Sequence, residues 1–223
     1  IGSWAGELGQ TQFLPQHYLN FAVDFDNDGR RDLIRDIPDI IGSTAHFINQ
    51  MGWRRGEPWL EEVHLTKDLP WDQADLEIMH PRSQWAEWGV KSVSGALTAD
   101  DLPASLMLPM GRNGPAFLAY QNFRVYLQWN QSLTYATTAA HLAMRMAGAP
   151  MLRKGNGQPI ASLEYEEIKE LQHLLTTHGF DVGEADGKIG AGTRKAVKAM
   201  QIKYNLPADS YPTSDLLAVL RAR

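Results

Sequence analysis

A glycine- and proline-rich segment near residue 150 constrains the fold of this 223-residue chain more than any other feature. Residues 148–161 combine three glycines, two prolines and a basic pair: Gly148, Gly155, Gly157, Pro150, Pro159, Arg153 and Lys154. This composition is typical of a linker, because glycine loosens the backbone and proline interrupts regular structure. We therefore predict two domains, residues 1–150 and 162–223, joined by a linker at residues 151–161.

The bulk composition excludes several classes of protein. The net charge of −5 and the pI near 5.8 argue against a nucleic-acid partner, which calls for a basic patch. The chain has no cysteine, which excludes a disulfide scaffold and a thiolate metal site. No apolar run approaches the length of a membrane span. Because the first residue is Ile1 rather than Met, we expect a fragment or processed form that lacks its N-terminal part.

The C-terminal part repeats one pattern three times: a capping residue, an amphipathic run and a stop. The predicted caps are Ser162, Thr193 and Thr213, and Gly179 and Asn205 end the first two runs. This pattern predicts a three-helix bundle. The loop of residues 180–190, between the first two helices, is where we expect a binding groove.

The N-terminal part mixes helices with a short hairpin. Apolar residues at helical spacing predict a helix from Pro38 to Met51. Apolar runs at residues 105–109 and 115–120 flank Asn113-Gly114 and predict a β-hairpin. Further helices are predicted at residues 72–80, 81–89 and 133–147, the last capped by Ser132. The fold class is therefore mainly α, of the α+β type.

An acidic loop at residues 24–32 predicts a metal site. Carboxylates at loop positions 1, 3, 5 and 9, with Gly29 at position 6, match the calcium loop of an EF-hand. Arg35 replaces the usual glutamate at position 12, so Asp36 or Asp39 is expected to close the site. Every ligand is oxygen, which favours calcium, and an ordinary acidic turn is the alternative. The predicted ligands are Asp24, Asp26, Asp28, Asp32, Asp39 and the backbone carbonyl of Arg30.

A glycine-rich stretch at residues 2–15 opens the chain. Three glycines interleave with Ser3, Thr11 and Gln12, whose uncharged polar groups suit a neutral ligand such as a sugar. The alternative is a plain loop that leads into a helix.

Several of these motifs carry a family resemblance. They are Gly2-Ser3-Trp4-Ala5-Gly6 through Gln12-Phe13-Leu14-Pro15, the acidic loop, and Asn122-Phe123 followed by Trp129-Asn130-Gln131-Ser132 and Tyr135. In this order they resemble the C-terminal portion of the catalytic domain of B-type lytic murein transglycosylases. Residues 163–220 resemble a three-helix peptidoglycan-binding domain. The residues that match this second family in order are Leu171-Gln172, Gly179-Phe180, Asp186-Gly187, Gly190, Thr193 and Gln201.

The resemblance implies a fold, a reaction and a set of site residues. Members of the family have a lysozyme-like catalytic domain and cleave the β-1,4 bond between N-acetylmuramic acid and N-acetylglucosamine. One glutamate acts as acid and then base, while the muramyl 6-hydroxyl attacks and forms a 1,6-anhydro sugar. The residues that the resemblance places in the sugar cleft are Ser3, Gln12, Trp129, Asn130 and Tyr135. Ser3 and Gln12 would support the catalytic carboxylate, and the calcium site would be structural.

The sequence departs from the family pattern at three positions. Trp129 and Phe47 stand where a tyrosine is found in relatives, so phenolic roles are in doubt there. Glu7 stands where a small residue is usual, and we do not expect it to be the catalyst. The catalytic glutamate is expected upstream of Ile1, so the parent protein would be an enzyme and this chain alone inactive.

The partners and location follow from the same resemblance. We expect the ligand to be the glycan strands of peptidoglycan, in the periplasm or cell envelope, with membrane contact only if the missing N-terminus is lipid-anchored. A non-catalytic peptidoglycan-binding protein is the alternative function. A dockerin-like module is disfavoured, because dockerins carry the calcium loop twice and this chain has one copy.

Overall fold

The computed structural model describes residues 3–160 and 162–222. Gly2 of the glycine-rich stretch and Ala161 of the predicted linker lie outside the described residues. The chain forms two compact units, the first ending at Glu57 and the second beginning at Pro58. Among the described helices, none is long and apolar enough to cross a membrane.

The first unit consists of two helices around the acidic loop. Helix α1 spans Pro15–Phe21 and helix α2 spans Ile37–Gln50, which confirms the helix predicted at Pro38–Met51. Asp36 caps α2, since its carboxylate accepts the backbone N–H of Asp39 at 3.1 Å. The unit is held together by aromatic packing: the ring of Phe47 lies 5.4 Å from Phe13 and 4.5 Å from Phe21, centroid to centroid.

The second unit is organised around a five-stranded antiparallel sheet. The strands are β1 (Leu60–Leu65), β2 (His80–Pro81), β3 (Val90–Ser92), β4 (Pro103–Met107) and β5 (Ala116–Ala119), in the order β2-β4-β5-β1-β3. The predicted hairpin is confirmed, because β4 and β5 pair with Met107 opposite Phe117. Eight residues connect the two strands, so Asn113-Gly114 is part of a longer loop and not a two-residue turn.

Both faces of the sheet are covered. Along β5 the buried side chains alternate: Leu118 joins the cluster around Trp85, whereas Phe117 and Ala119 join the cluster that includes Phe123 of the helical layer. The helices of this region are α3 (Arg82–Glu87), α4 (Gln121–Trp129) and α5 (Leu133–Met146).

Two of the helix predictions in this region are confirmed and one is wrong. The helices at residues 81–89 and 133–147 exist as α3 and α5, and Ser132 caps α5 through the N–H of Tyr135 at 3.3 Å. Residues 72–80 instead contain a 3-10 turn and the start of β2. The carbonyl of Leu76 explains the difference, because it accepts hydrogen bonds from the side chains of Ser105 and Arg124. These long-range donors take the place of the backbone N–H that a helix would supply.

The C-terminal residues form the predicted bundle of α6 (Tyr165–Thr177), α7 (Ala191–Lys203) and α8 (Ser214–Arg221). Gly179 and Asn205 take positive φ angles of 89° and 53° after the first two helices, as expected for stops. Thr213 caps α8 as predicted, since its hydroxyl accepts the N–H of Leu216 at 3.4 Å.

Two predicted caps of the bundle are wrong. Glu164, not Ser162, caps α6, in a reciprocal arrangement in which Glu167 accepts the N–H of Glu164 at 2.9 Å. Thr193 lies inside α7 and is 1% exposed, and its hydroxyl accepts the Nε2 group of Gln172 at 3.4 Å. The Thr193 hydroxyl, which the sequence pattern assigned to the start of a helix, therefore bonds to Gln172 of a neighbouring helix.

The predicted linker is held against the sheet region. The N–H of Arg153 donates to Glu62 at 2.8 Å, and Asn113 donates through Nδ2 to the carbonyl of Pro159 at 3.0 Å. Gly155, at φ 82°, leaves no room for a Cβ, which would lie 2.1 Å from the carbonyl oxygen of Asn113. The segment is thus tied to the sheet region at Arg153, Gly155 and Pro159, although most of its residues are exposed. The division into domains at residues 151–161 stays a prediction.

Candidate functional site

The glycine-rich stretch folds into a tight loop that turns around the exposed hydroxyl of Ser3. Ser3 Oγ accepts the backbone N–H groups of Ala5 and Glu7, both at 3.3 Å. Leu8 and Phe13 close the loop by exchanging two backbone hydrogen bonds of 2.9 Å. Because both acceptor positions of Ser3 Oγ are engaged, its O–H is oriented to donate to a further acceptor such as a carboxylate.

Two other residues of this loop have unusual properties. Gln12 has φ 53°, a region that residues other than glycine rarely adopt, and its side chain is exposed. Trp4 is fully exposed, at 100%. Trp4 is not among the sugar-binding residues predicted from the sequence, although an exposed aromatic ring beside polar groups is a common surface for binding a sugar.

The remaining predicted sugar-binding residues lie together at the α4–α5 junction of the second unit. Trp129 ends α4, and Asn130 follows it as the C-terminal cap. The Oδ1 atom of Asn130 accepts the N–H of Ser132 at 2.9 Å, which fixes its side chain. Tyr135, in the first turn of α5, is 52% exposed. The structure thus brings Trp129, Asn130 and Tyr135 to one turn, while Ser3 and Gln12 share the glycine loop of the first unit.

The acidic loop is ordered by its own carboxylates. Asp24 accepts the N–H of Asp28 at 3.0 Å and that of Gly29 at 2.9 Å. Gly29 has φ 89°, so it supplies the sharp turn expected at loop position 6. Asp28 in turn accepts the N–H of Arg30 at 2.8 Å. These bonds curl the loop so that its carboxylates converge.

Two overlapping groups of carboxylates result. Oxygens of Asp24, Asp26 and Asp39 lie within 4.8 Å of one another, and so do those of Asp26, Asp28 and Asp36. Both closing residues left open by the sequence, Asp36 and Asp39, therefore adjoin the cluster.

Asp39 and Asp32 differ from the other members. Asp39 is 1% exposed and accepts the N–H groups of Phe25 at 2.7 Å and Asp32 at 2.8 Å. Asp32 lies outside both groups of the described residues, and hydrogen bonds from the N–H groups of Ile34 and Arg35 lower its pKa.

The cluster fits a hard cation. Partial desolvation in the loop raises the pKa of Asp26, and the charges of Asp36, Asp28 and Asp39 raise it further. All the converging groups are carboxylate oxygens, the ligands that calcium prefers. A divalent cation bound there would offset this mutual repulsion.

The sequence was uninformative about the many acidic residues between positions 53 and 99, and the structure assigns two of them to packing. Tyr120, fully buried, donates its O–H to Glu61 at 2.7 Å, and burial together with this bond raises the pKa of Tyr120. Glu62 accepts the N–H of Arg153 from the linker segment. Both carboxylates therefore anchor structure around the sheet.

Two sequence families match the chain. The model of the transglycosylase SLT domain matches residues 1–144, and that of a peptidoglycan binding domain matches residues 164–220. The chain belongs to the transglycosylase SLT domain family and carries a C-terminal peptidoglycan binding domain. The resemblance seen in the sequence is thereby confirmed.

Solved and curated relatives agree with this membership. SltB3 of Pseudomonas aeruginosa, crystallised with NAG-anhNAM-pentapeptide, is 42% identical with a TM-score of 0.84, over 99% of this chain and 60% of that protein. The membrane-bound lytic murein transglycosylase B of Escherichia coli K12 is 30% identical over 66% of this chain and 39% of its own length. Slt35 of Escherichia coli, in a structure with calcium, is 29% identical with a TM-score of 0.52, over 66% of this chain and 46% of that protein.

These matches also define the fold class and the extent of the chain. The predicted mainly α, lysozyme-like class is confirmed by the transglycosylase structures. The chain spans between about two fifths and three fifths of the length of the relatives it matches.

Proposed function

We propose that the protein to which this chain belongs is a peptidoglycan lytic transglycosylase of the cell envelope. It would cleave the bond between N-acetylmuramic acid and N-acetylglucosamine and leave a 1,6-anhydro end. The observation that carries this proposal is the likeness to SltB3 over 99% of the chain, since the ligand of that structure contains an anhydro-muramyl sugar. The C-terminal bundle would hold peptidoglycan strands near the reaction.

In this proposal the residues named by the resemblance would contact the glycan. Ser3 and Gln12 would support the catalytic carboxylate and the adjacent sugar, because Ser3 keeps a hydroxyl proton to donate. Asn130 and Tyr135 would bind sugar hydroxyls or acetamido groups, and Trp129 would supply an apolar ring face. At Phe47, where the resemblance implies a tyrosine in some family members, the buried phenyl ring supports the aromatic core.

We propose that the general acid is a glutamate outside residues 1–223. Glu7 is the carboxylate nearest in sequence to Ser3, but its backbone N–H, rather than its carboxylate, contacts Ser3 Oγ. A general acid must lie within hydrogen-bond reach of the glycosidic oxygen and be held by its neighbours. Glu7 therefore contributes to the turn of the loop through its backbone, which donates to Ser3 Oγ and accepts the N–H of Ser3.

The test is the release of anhydro-muropeptides from purified sacculi. The full protein should produce muropeptides with 1,6-anhydro ends, identified by mass spectrometry and by resistance to borohydride reduction. Residues 1–223 alone should sediment with sacculi and release nothing. Turnover by residues 1–223 that disappears in Glu7→Gln would overturn the assignment of the acid. Sedimentation without any product from the full protein would favour the non-catalytic binding protein.

We further propose that the acidic loop binds one structural calcium ion. Asp24, Asp26 and Asp28 would be ligands together with Asp36 or Asp39, and the carbonyl of Arg30 would occupy position 7. When bound, the ion would neutralise the converged carboxylates and brace the loop that precedes α2. The calcium complex of the relative Slt35 supports this assignment.

A further inference from the structure

A cavity of about 680 Å³ lies within the second unit, where the helical bundle meets the sheet region. One wall is formed by residues 74–78 and the end of β4, and the other by the start of α7 and the turn at Asp209 and Ser210. This volume falls within the range of roughly 300–1,000 Å³ that is usual for sites of small ligands. Neither the glycan-cleft residues nor the calcium loop belongs to it.

Polar contacts across the junction hold the two walls in place. The guanidinium of Arg194 donates to the carbonyl oxygens of Leu108, at 3.3 Å, and Pro109. The backbone N–H of Arg112 donates at 3.0 Å to Asp209, which is 2% exposed. These contacts are made between groups of the protein itself, so the two walls are held by its own hydrogen bonds.

A further ion pair closes one side of the junction. Lys198 Nζ lies 2.7 Å from Asp75 Oδ2, and Lys198 is 8% exposed. Asp75 is therefore already neutralised, and the charge free for a ligand on that wall is the one carried by Glu77.

The lining combines an apolar floor with opposite charges on facing walls. Leu106 and Leu108 are buried on the floor. The wall of residues 74–78 carries the exposed Glu77, and the facing wall carries the exposed Lys195 beside the N-terminus of α7. Neither Glu77 nor Lys195 belongs to an ion pair among the described residues. The positive end of the α7 dipole reinforces the charge of Lys195.

This arrangement suits a short peptide that carries both an amino group and a carboxylate. An ammonium group would pair with Glu77, a carboxylate with Lys195, and small aliphatic side chains would cover the floor. A neutral glycan has no charge with which to form an ion pair with either side chain. We propose that the cavity binds the peptide stem of peptidoglycan, a choice of ligand that rests on the proposed function.

The experiment is a titration calorimetry series on the full protein. The probe is the stem tetrapeptide N-acetyl-L-Ala-γ-D-Glu-meso-diaminopimelate-D-Ala, whose one ammonium is that of diaminopimelate, and chitotetraose serves as the peptide-free glycan. Glu77→Gln and Lys195→Gln should each weaken peptide binding about threefold to fivefold, the effect of a solvent-exposed charge pair. Binding of chitotetraose should not change in either variant. Acetylation of the diaminopimelate amine should abolish the effect of Glu77→Gln.

Matched controls separate the cavity from general surface charge. Glu87→Gln removes an exposed carboxylate and Lys203→Gln an exposed ammonium at the far end of α7, both outside the cavity lining. Both should bind the peptide as the parent does. The proposal would be overturned if the parent protein did not bind the peptide or if both cavity variants bound it as tightly as the parent. An equal loss of peptide affinity in the control variants would overturn it too.

Failure of this proposal is distinguishable from failure of the proposed function. Anhydro-muropeptide release without peptide binding would remove the cavity assignment alone. Charge-dependent peptide binding without anhydro products would remove the catalytic function and leave the cavity as a peptide site.

Discussion

At the residue scale, the glycine-rich loop depends on backbone conformations that few side chains permit. Gly9 has φ 77°, and a Cβ built there would lie 2.4 Å from the carbonyl oxygen of Leu33. The N–H of Gln10 donates to that same carbonyl at 3.1 Å, so the oxygen is not free to move away. Gly9 therefore fixes where the loop meets the segment that precedes α2.

Gly9→Ala should cost about 2–4 kcal/mol of unfolding free energy, because it adds a steric clash to the unfavourable positive φ. Gly56→Ala is the matched control, since Gly56 has φ 84° and open space around its Cβ position. That variant should lose only about 1 kcal/mol. Urea denaturation followed by circular dichroism measures both, and equal losses would contradict the clash.

Calcium should stabilise the first unit through the converging carboxylates. A ligand that binds only the folded state at a hundredfold excess over its Kd adds about 2.7 kcal/mol. The melting temperature should rise with added calcium and fall in EDTA, and Asp24→Asn should abolish this difference. Asp101→Asn, an exposed aspartate outside the loop, should preserve it. An unchanged melting temperature in EDTA would count against the site.

At the element scale, local signals predicted the helices well where the capping side chain had no competing partner. Ser132 and Thr213 cap α5 and α8 as expected. Thr193 instead accepts a hydrogen bond from Gln172. At the start of α6 the cap is Glu164 and not Ser162. A sequence pattern identifies a residue able to cap, but it does not reveal which tertiary group competes for the hydroxyl.

Thr213→Ala should destabilise the bundle by about 1 kcal/mol, because the N–H of Leu216 loses its acceptor at the start of α8. Ser214→Ala, at the neighbouring exposed position, should change stability by less than about 0.5 kcal/mol. Chemical denaturation of the two variants tests the difference. A larger loss for Ser214→Ala would mean that the cap is assigned to the wrong residue.

At the scale of the whole molecule, the contacts between the sheet region and the bundle are what local sequence patterns did not reveal. The bundle is held to the sheet region through Arg194, Arg112 and Lys198. The predicted linker is itself tied to the sheet region by the bond from Arg153 to Glu62. The second unit accordingly includes the sheet, the linker segment and the bundle.

Arg194→Ala should loosen the bundle from the sheet, because two carbonyl groups lose a charged donor worth about 3 kcal/mol together. Hydrogen exchange followed by mass spectrometry should show protection in α7 falling by about a hundredfold. Protection in β4 and β5 should stay unchanged. Arg221→Ala, which breaks only the exposed pair with Glu170 inside the bundle, is the control and should leave α7 protected. Uniform loss across the unit would contradict a distinct junction.

The junction should also show a defined pH dependence. Burial favours a higher pKa for Asp75, but its hydrogen bonds with Lys198 and the N–H of Glu77 outweigh that effect and lower the pKa. A lowered folded-state pKa adds stability above the unfolded pKa of about 4, and that stability is lost as the pH falls through the folded value. Asp75→Asn should therefore flatten the acid side of the stability curve, measured by urea midpoints from pH 6 to pH 3. An unchanged slope would show that the pair contributes nothing.

Features that depend on local spacing were predictable from the sequence alone. Helical periodicity located α2, α5 and the three bundle helices, and two apolar runs flanking Asn113-Gly114 located the β4–β5 hairpin. The regular aspartates of the acidic loop indicated converging carboxylates, because a short loop with a glycine turn brings alternate side chains together. The ordered motifs also identified both families.

The pairing of groups that are distant in sequence became visible in the three-dimensional structure. The structure showed that the carbonyl of Leu76 accepts the side chains of Ser105 and Arg124, where a helix was predicted, and that the linker segment is hydrogen-bonded to the sheet region. It also created the cavity whose facing walls bear Glu77 and Lys195, residues 118 positions apart (195 minus 77). The physical reason is that such contacts depend on the packing of whole elements, whereas local patterns report only what a few neighbouring residues can form.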